Sequence, residues 1–317
     1  MKLFEVYVSL KNKKSSVNNL QYCGFIAIIG RPNVGKSTLM NSILGQKISI
    51  TSCKPQTTRH RIIGIDTEEN YQSIYLDTPG FQIKEKSAIN RVMNHVANNS
   101  LHHADLLIFL VDALKWTKDD ERLLIKLKNC NIPVILCINK VDCLKDRSRV
   151  MLQMQEVSIK MNFTTIIPIS AKYSRNIDIL KKYVRRYLPK SMHHFPSKDI
   201  IHCSQSFMAS EILREKLMRF TGDELPYSLT VKIEDFDYNT VTSILFINAL
   251  ILVERNAQKK IVIGKYGKKI KTIGSAARID MQKAFSCQVY LKTWVKVQLG
   301  WTNNQSRLSE LGYLDYL

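Results

Sequence analysis

Short apolar runs alternate with amphipathic stretches up to residue 188 of the chain. The runs predict six strands, at Phe25–Ile29, Arg61–Ile65, Ser73–Asp77, Leu106–Val111, Pro133–Ile138 and Ile166–Ile169. Segments of helical length lie between most of them, at Lys86–Leu101, Lys118–Asn129 and Arg175–Tyr187. This alternation favours an α/β fold, a mostly parallel sheet with helices on both faces. The nearly continuous apolar runs at 106–111 and 133–138 are typical of fully buried parallel strands.

The pattern changes at a segment that carries Pro189 and Pro196 and has no periodicity, which predicts a linker over 189–198. A smaller α+β domain over 199–317 follows, with a C-terminal tail. Its predicted elements are a helix (Gln205–Phe220), two or three strands between Ser228 and Ile263, a helix pair (Lys268–Phe285) and a strand (Gln288–Val297). The first domain is predicted over 22–188, after a disordered N-terminal extension over 1–21.

Composition narrows the classes of protein. The net charge of +20 on 317 residues implies an anionic partner, either nucleic acid or a membrane surface. Seven scattered cysteines without C-x-x-C spacing argue against a disulfide framework or a zinc site and favour the cytoplasm. The longest apolar stretch, Ile244–Val253, is too short to span a bilayer.

A glycine-rich phosphate loop follows the first predicted strand. The string from Gly30 to Ser37 matches G-x-x-x-x-G-K-[ST] and opens a helix, the context that this motif requires. Backbone N–H groups of such a loop face phosphates, the lysine reaches the β- and γ-phosphates, and the serine hydroxyl ligates Mg²⁺. The predicted phosphate-binding residues are Gly30, Arg31, Pro32, Asn33, Val34, Gly35, Lys36, Ser37 and Thr38.

Two further segments complete the predicted phosphate and metal site. Asp77, Thr78, Pro79 and Gly80 follow a strand, where the carboxylate of Asp77 can hold Mg²⁺ and the N–H of Gly80 can face a γ-phosphate. The loop that carries Gln56–Arg59 supplies a threonine ligand, for which Thr58 is favoured and Thr57 is the reserve. The predicted metal ligands are therefore Ser37, Thr58 and Asp77. The predicted catalytic residues for hydrolysis of the γ-phosphate are Lys36, Thr58, Asp77 and Gly80.

A third segment predicts guanine as the base. Asn139, Lys140, Val141 and Asp142 close a strand, and Asp142 can accept hydrogen bonds from N1–H and the exocyclic amine of guanine, which adenine does not offer together. A site built for one hydrogen-bonding edge discriminates strongly against the other base. Ser170, Ala171 and Lys172, at the end of the sixth strand, would support the base. The predicted ligands are thus GTP or GDP with Mg²⁺.

Phe81 occupies the position after Gly80, where Ras-like enzymes hold a glutamine that orients the attacking water. Phenylalanine cannot orient water, so slow intrinsic hydrolysis is expected. Two sources of assistance remain open, a cation such as K⁺ near Asn33 or the RNA partner.

The smaller domain contains a G-x-x-G loop in basic surroundings. Eleven Lys and Arg residues and one acid, Asp280, lie between Arg255 and Lys296. Such loops clamp single-stranded nucleic acid in KH domains, and the concentrated positive charge fits phosphate binding. The predicted RNA-binding residues are Gly264, Lys265, Tyr266, Gly267, Lys268, Lys269 and Lys271. Trp294 is expected to pack in the core, and so are Ile261 and its neighbouring isoleucines, some of which could instead line a base groove.

Long strings then resemble the Era family of bacterial ribosome-assembly GTPases over residues 22–317, among them GRPNVGKSTLMNSILGQKISITS, YLDTPG, INKVD, FMASEILREKLMRF and QKKIVIG. The resemblance implies a Ras-like P-loop GTPase domain followed by a type II KH domain. It also implies binding to the 3′ end of small-subunit ribosomal RNA, a role in maturing that subunit, and peripheral association with the inner membrane. A monomer that does not bind DNA is expected. The alternative is a GTPase that uses its basic region on anionic lipid.

Overall fold

The structure is a computed structural model and describes residues 20–51, 58–59, 62–80, 87–146, 148–222 and 228–313. The strands are β1 (Tyr22–Ile29), β2 (Ile62–Glu68), β3 (Tyr71–Asp77), β4 (Leu106–Asp112), β5 (Val134–Asn139), β6 (Thr165–Pro168), β7 (Leu229–Asn239), β8 (Ile244–Val253) and β9 (Gln288–Val297). The helices are α1 (Lys36–Leu44), α2 (Ala88–His102), α3 (Lys118–Lys128), α4 (Ser148–Ser158), α5 (Ile177–Arg186), α6 (Gln205–Phe220), α7 (Asn256–Ile263), α8 (Lys268–Phe285) and α9 (Gln305–Glu310). In this part of the chain no helix combines the length and apolarity that crossing a membrane requires.

The first six strands form one sheet in the order β2-β3-β1-β4-β5-β6, confirming the predicted mostly parallel α/β fold. Strands β1, β3, β4, β5 and β6 pair in parallel, so their carboxyl ends meet at one edge of the sheet. Strand β2 is longer than predicted and pairs with β3 in antiparallel register across the short turn at Glu69 and Asn70. Apolar side chains cover both faces, which explains the nearly unbroken hydrophobicity of β4 and β5.

The second sheet has three strands in the order β7-β8-β9, with β8 antiparallel to β7 and parallel to β9. Side chains of α6 and α8 share one buried cluster with the inner face of this sheet, for example Leu213 with Ile247 and Ile273. The prediction of a helix pair within Lys268–Phe285 is wrong, because this range is one continuous helix. Its partner across the glycine loop is α7.

The two sheets lie in domains that also contact each other. Ile89, near the start of α2, shares a buried cluster with Trp301, Leu308 and Tyr313 from the C-terminal end of the chain. On another part of the interface, Nζ of Lys47 lies 2.6 Å from a carboxylate oxygen of the buried Glu215 on α6. Apolar burial and an ion pair therefore both connect the domains.

Candidate nucleotide site and basic glycine loop

The loop over Gly30–Gly35 joins β1 to α1 at the carboxyl edge of the first sheet. Gly35 has φ +103°, and a Cβ at this position would lie 2.4 Å from Nδ2 of Asn139. Only glycine fits both the backbone angle and the close approach. The loop is thus held directly against the end of β5 and leads into the N-terminus of α1, the kind of helix start that binds phosphate.

Lys36 is buried at the first position of α1. Its Nζ donates to the carbonyl oxygens of Gly30 and Arg31, each at 3.0 Å. Burial lowers the pKa of Lys36 to about 8, while the nearby carboxylate of Asp77 acts in the opposite direction. Because the loop carbonyls already orient the amine, a phosphate that arrives beside it would meet a positioned cation.

The three predicted metal ligands converge. Oγ of Ser37 lies 2.7 Å from Oγ1 of Thr58, which in turn donates to Oδ2 of Asp77 at 3.2 Å. The other oxygen of Asp77, Oδ1, is buried and makes no hydrogen bond within the described part of the chain. Burial raises the pKa of the Asp77 carboxyl, an effect that a bound cation would oppose. Two hydroxyls and a buried carboxylate are a donor set that fits Mg²⁺.

The segment after Asp77 lies against the phosphate loop. Oγ1 of Thr78 donates to the carbonyl oxygen of Ile28 at 2.8 Å. Pro79 and Gly80 are buried, and a Cβ on Gly80 would lie 2.9 Å from the backbone nitrogen of Pro32. Gly80 lines the same pocket as Lys36 and Ser37. Phe81 and Thr57 lie outside the described residues.

The predicted base-reading residues also meet. Nδ2 of Asn139 donates to the carbonyl oxygen of Val34 at 2.8 Å, and its Oδ1 accepts from the N–H of Ala171 at 2.9 Å. Asn139 therefore ties the phosphate loop to the segment 170–172. Oγ of Ser170 donates to Oδ1 of Asp142 at 2.5 Å.

Asp142 is presented as an ionised acceptor. Burial acts to raise the pKa of its carboxyl, but hydrogen bonds, led by the one from Ser170, outweigh that effect and the pKa lies below its usual value. Val141 is partly exposed beside it, and Lys172 is exposed on the neighbouring segment. A charged acceptor at the mouth of the site matches the two donors of a guanine edge.

Two acidic residues at this edge of the sheet were not predicted from the sequence to belong to the site. Asp112, at the end of β4, accepts from Nζ of Lys140 at 2.7 Å. The buried Asp120 accepts from Nε of Arg31 at 3.1 Å, so that the guanidinium points toward α3. Both acids fix cationic residues of the predicted site, and only the folded chain brings them into contact.

The second glycine loop connects α7 to α8. Gly264 and Gly267 both have φ +72°, and Tyr266, which has φ 52°, is 87% exposed. A Cβ on Gly264 would lie 2.5 Å from Cβ of Lys269, whereas one on Gly267 would meet nothing within 4 Å. Lys265 and Lys268 are exposed on the loop, and Lys271 is exposed one turn into α8. The loop thus presents lysines to solvent.

The expectation that Trp294 packs in the core is wrong, and of the two placements left open for Ile261 the core placement is wrong as well. Trp294 is 36% exposed, because even-numbered residues of β9 point away from the helices. Ile261 is 44% exposed on the outer side of α7, whereas Ile273 is fully buried as predicted.

Known proteins resemble the chain over the ranges that hold both glycine loops. A family model described as 50S ribosome-binding GTPase matches residues 25–140, and one described as KH domain matches residues 224–302. GTPase Era of Vibrio parahaemolyticus is 62% identical over 313 residues, covering 99% of this chain and 98% of the relative. GTPase Era of Vibrio vulnificus is 63% identical over 305 residues, 96% of this chain and 95% of the relative.

Two solved structures are similar to nearly the whole chain. One is a variant of Aquifex aeolicus Era bound to GDP.AlF4⁻, and the other is Era in complex with MgGDPNP and nucleotides 1506–1542 of 16S ribosomal RNA. Each has a TM-score of 0.90 and 38% identity, and covers 92% of this chain and 99% of the other. The chain is a GTPase that belongs to the Era family, with a Ras-like P-loop domain followed by a KH domain.

Proposed function

We propose that this GTPase is an RNA-binding switch that acts in maturation of the small ribosomal subunit. The KH domain would bind the 3′ region of the small-subunit ribosomal RNA, and GTP binding and hydrolysis would control that contact. The similar Era structure with MgGDPNP and 16S ribosomal RNA supports this choice of ligands. The exposed Lys265 in the glycine loop, with Lys268 and Lys271 directly after it, supplies the charge that a phosphate backbone needs.

In the nucleotide site we assign roles to the residues that converge there. Lys36 would neutralise the β- and γ-phosphates, and Ser37, Thr58 and Asp77 would hold Mg²⁺. The metal ion, when bound, offsets the negative charge of the phosphates. The N–H of Gly80 would sense the γ-phosphate, and Asp142 would select guanine.

One structural observation carries the proposed switch: segments on either side of the nucleotide site are attached to the KH domain. Arg219 of α6 donates to the carbonyl oxygen of Thr51 at 3.3 Å, directly before residues 52–57. On their other side, Arg59 donates to the carbonyl oxygen of Leu229 at 2.8 Å. The N–H of Ala88, shortly after Gly80, donates to Oδ1 of Asn303 at 3.1 Å. Movement of Thr58 or Gly80 on γ-phosphate binding would therefore reach the KH domain.

The test is RNA affinity as a function of the bound nucleotide. We expect different dissociation constants for a 3′-terminal small-subunit ribosomal RNA fragment when the protein holds GDP and when it holds a non-hydrolysable GTP analogue. Fluorescence anisotropy at fixed Mg²⁺ and salt measures both. Equal affinities in the two states would contradict the switch, and no RNA binding in either would contradict the RNA-binding role itself.

We also propose that intrinsic hydrolysis is slow and is stimulated by K⁺ or by the RNA partner. Asn33 adopts φ 66° and is exposed on the phosphate loop, where its side chain could help bind a cation. Phosphate release measured in KCl and in NaCl, with and without small ribosomal subunits, tests this proposal. Fast turnover in NaCl without subunits would contradict it.

For location we propose the cytoplasm with peripheral contact to the inner membrane, and a monomer that does not bind DNA. The net charge of +20 supports attraction to anionic lipid as well as to RNA. Co-sedimentation with phosphatidylglycerol vesicles and with phosphatidylcholine vesicles measures this attraction. Salt-sensitive binding to the anionic vesicles alone would support the membrane contact, and strong vesicle binding without RNA binding would favour the alternative of a lipid-surface GTPase.

A further inference from the structure

The outer face of the KH sheet carries a row of side chains that the glycine loop does not use. On β9 the residues Tyr290, Lys292, Trp294 and Lys296 alternate with positions that face the core. We call these four residues the β9 stripe. Their neighbours Val289 and Val295 belong to the apolar cluster beneath the helices. Because side chains alternate across a strand, the stripe lies on the face opposite α6 and α8.

The stripe is open to solvent at each of its positions. Tyr290 is 56% exposed and Trp294 is 36% exposed, and both lysines are exposed. Phe246, opposite Tyr290 on β8, is 38% exposed, and the two ring centroids lie 5.5 Å apart. Aromatic surface and positive charge therefore alternate along an edge strand.

The acids of this face lie on β7, a strand that also carries the exposed Lys232 opposite Leu250. Asp235 and Asp237 lie on β7, opposite Asn248 and Phe246 of β8. Oδ2 of Asp235 accepts from Nδ2 of Asn248 at 2.7 Å, so this acid stays on the β7 side. A polyanion that lies on this face would be repelled by the acidic stretch of β7 at Asp235 and Asp237 and attracted to β9.

We propose that the β9 stripe is a second contact for single-stranded RNA, separate from the glycine loop. One base would stack on Tyr290 and one on Trp294, and phosphates would lie beside Lys292 and Lys296. Same-face residues of a strand are about 6.7 Å apart, a spacing that an extended nucleotide can follow. Aromatic stacking beside a basic backbone track is the general means by which proteins bind single strands. The inference rests on the proposed RNA binding of this domain.

Two sets of variants separate stacking from charge. Trp294→Leu keeps an apolar side chain but removes the ring. Lys292→Gln with Lys296→Gln removes both charges from exposed positions. The double variant Lys118→Gln with Lys182→Gln removes two exposed lysines from the G domain and serves as the matched control. The probes are single strands of about 4 and about 12 nucleotides from the 3′ end of small-subunit ribosomal RNA, since the glycine loop clamps about four.

For the longer strand, loss of one stacked base is expected to weaken binding about 5- to 150-fold in Trp294→Leu. The double lysine variant is expected to lower the slope of log K against log salt by about 1.4, because each phosphate contact contributes about 0.7. Binding of the shorter strand and all binding by the control should stay unchanged. The longer strand should also quench tryptophan fluorescence in the wild type more than in Trp294→Phe.

The outcomes are distinguishable. If the wild type binds neither strand, the proposed RNA-binding function fails and the stripe falls with it. If the wild type binds the longer strand and all stripe variants match it in affinity, salt slope and quenching, the stripe is not an RNA contact and only this inference is overturned. Loss of binding to phosphatidylglycerol vesicles with unchanged RNA affinity would also overturn it, because the stripe would then be a lipid contact.

Discussion

Replacing Arg59 should uncouple the nucleotide site from the KH domain. This side chain is 2% exposed, and its Nη1 donates to the carbonyl oxygen of Leu229 at 2.8 Å and to the hydroxyl of Tyr313 at 3.3 Å. The Tyr313 hydroxyl also lies 3.0 Å from Oγ1 of Thr230. Thr58, the predicted metal ligand, is the preceding residue. Any state-dependent displacement of Thr58 therefore acts on a buried interdomain contact.

The size of the effect follows from these contacts. A hydrogen bond that involves a charged group contributes about 1.5–3 kcal/mol, and the second, longer bond adds less. In Arg59→Met both acceptors lose a donor, so about 2–4 kcal/mol of interdomain contact is lost. If one nucleotide state favours this contact, the ratio of RNA affinities between the GDP and GTP-analogue states can change by up to about 30- to 900-fold. By reciprocity RNA must change the nucleotide affinity ratio equally.

The assay is anisotropy of a labelled RNA fragment with the wild type and with Arg59→Met, in each nucleotide state. We expect the ratio of the two dissociation constants to move toward one in the variant, while GDP affinity without RNA is retained. Arg91→Met, which removes an exposed arginine of α2, should keep the wild-type ratio. An Arg59→Met variant that folds and still keeps the full wild-type ratio would refute the coupling role.

Three further changes test other parts of the molecule. Asp142→Asn should weaken GTP binding by roughly 10² or more and favour xanthosine triphosphate, whose O2 accepts where guanine donates, as competition for labelled nucleotide would show. Gly267→Asp should abolish RNA binding without affecting GTP affinity. The control Gly300→Asp, at a similarly open position of φ +63°, should keep RNA binding. Equal RNA affinities of Gly267→Asp and the wild type in filter binding would disprove the clamp. Burial lowers the pKa of His194 in the folded protein. Below about pH 6.5 the unfolded chain therefore binds a proton at this residue more readily than the folded chain does. The free energy of unfolding should fall from pH 7 to pH 5 for this reason. His194→Gln should reduce this fall in urea titrations at the two pH values, and an unchanged slope would contradict it.

The convergence of the residues at the candidate nucleotide site could be predicted from the sequence because their spacing reflects a local requirement. Gly35 is needed where any Cβ would lie 2.4 Å from Nδ2 of Asn139, and Asp77 and Asn139 stand at strand ends that a parallel sheet brings to one edge. Each requirement leaves its mark within a few residues of a strand, and buried strands are recognisable by their apolar runs. The antiparallel direction of β2 was not predicted. The first predicted strand ended at Ile65 and the next began at Ser73, so the short turn that joins β2 to β3 was not recognised.

The interdomain contacts had no such local mark. Arg59 and Leu229 are 170 residues apart, and an arginine in a polar loop is most simply interpreted as solvated. Asp120 gave no signal for a similar reason, since its partner Arg31 lies 89 residues away. The exposure of Trp294 depends on which face of β9 the helices cover, and the alternation of residues alone fits either face.

The distribution of contacts indicates which part of the nucleotide can carry a signal. The side chains of Asn139 and Asp142, which would read the base, have their described hydrogen bonds within the G domain, to Val34, Ala171, Ser170 and Cys143. Thr58, which would respond to the γ-phosphate, is followed at once by an arginine that donates to the KH domain. GDP and GTP share a base and differ in that phosphate, so base recognition sets which nucleotide binds, and only the phosphate side distinguishes the two states. It follows that Asp142→Asn loaded with xanthosine nucleotides should recover the wild-type ratio of RNA affinities, and a ratio of one under those conditions would place the coupling in the base-reading segments instead.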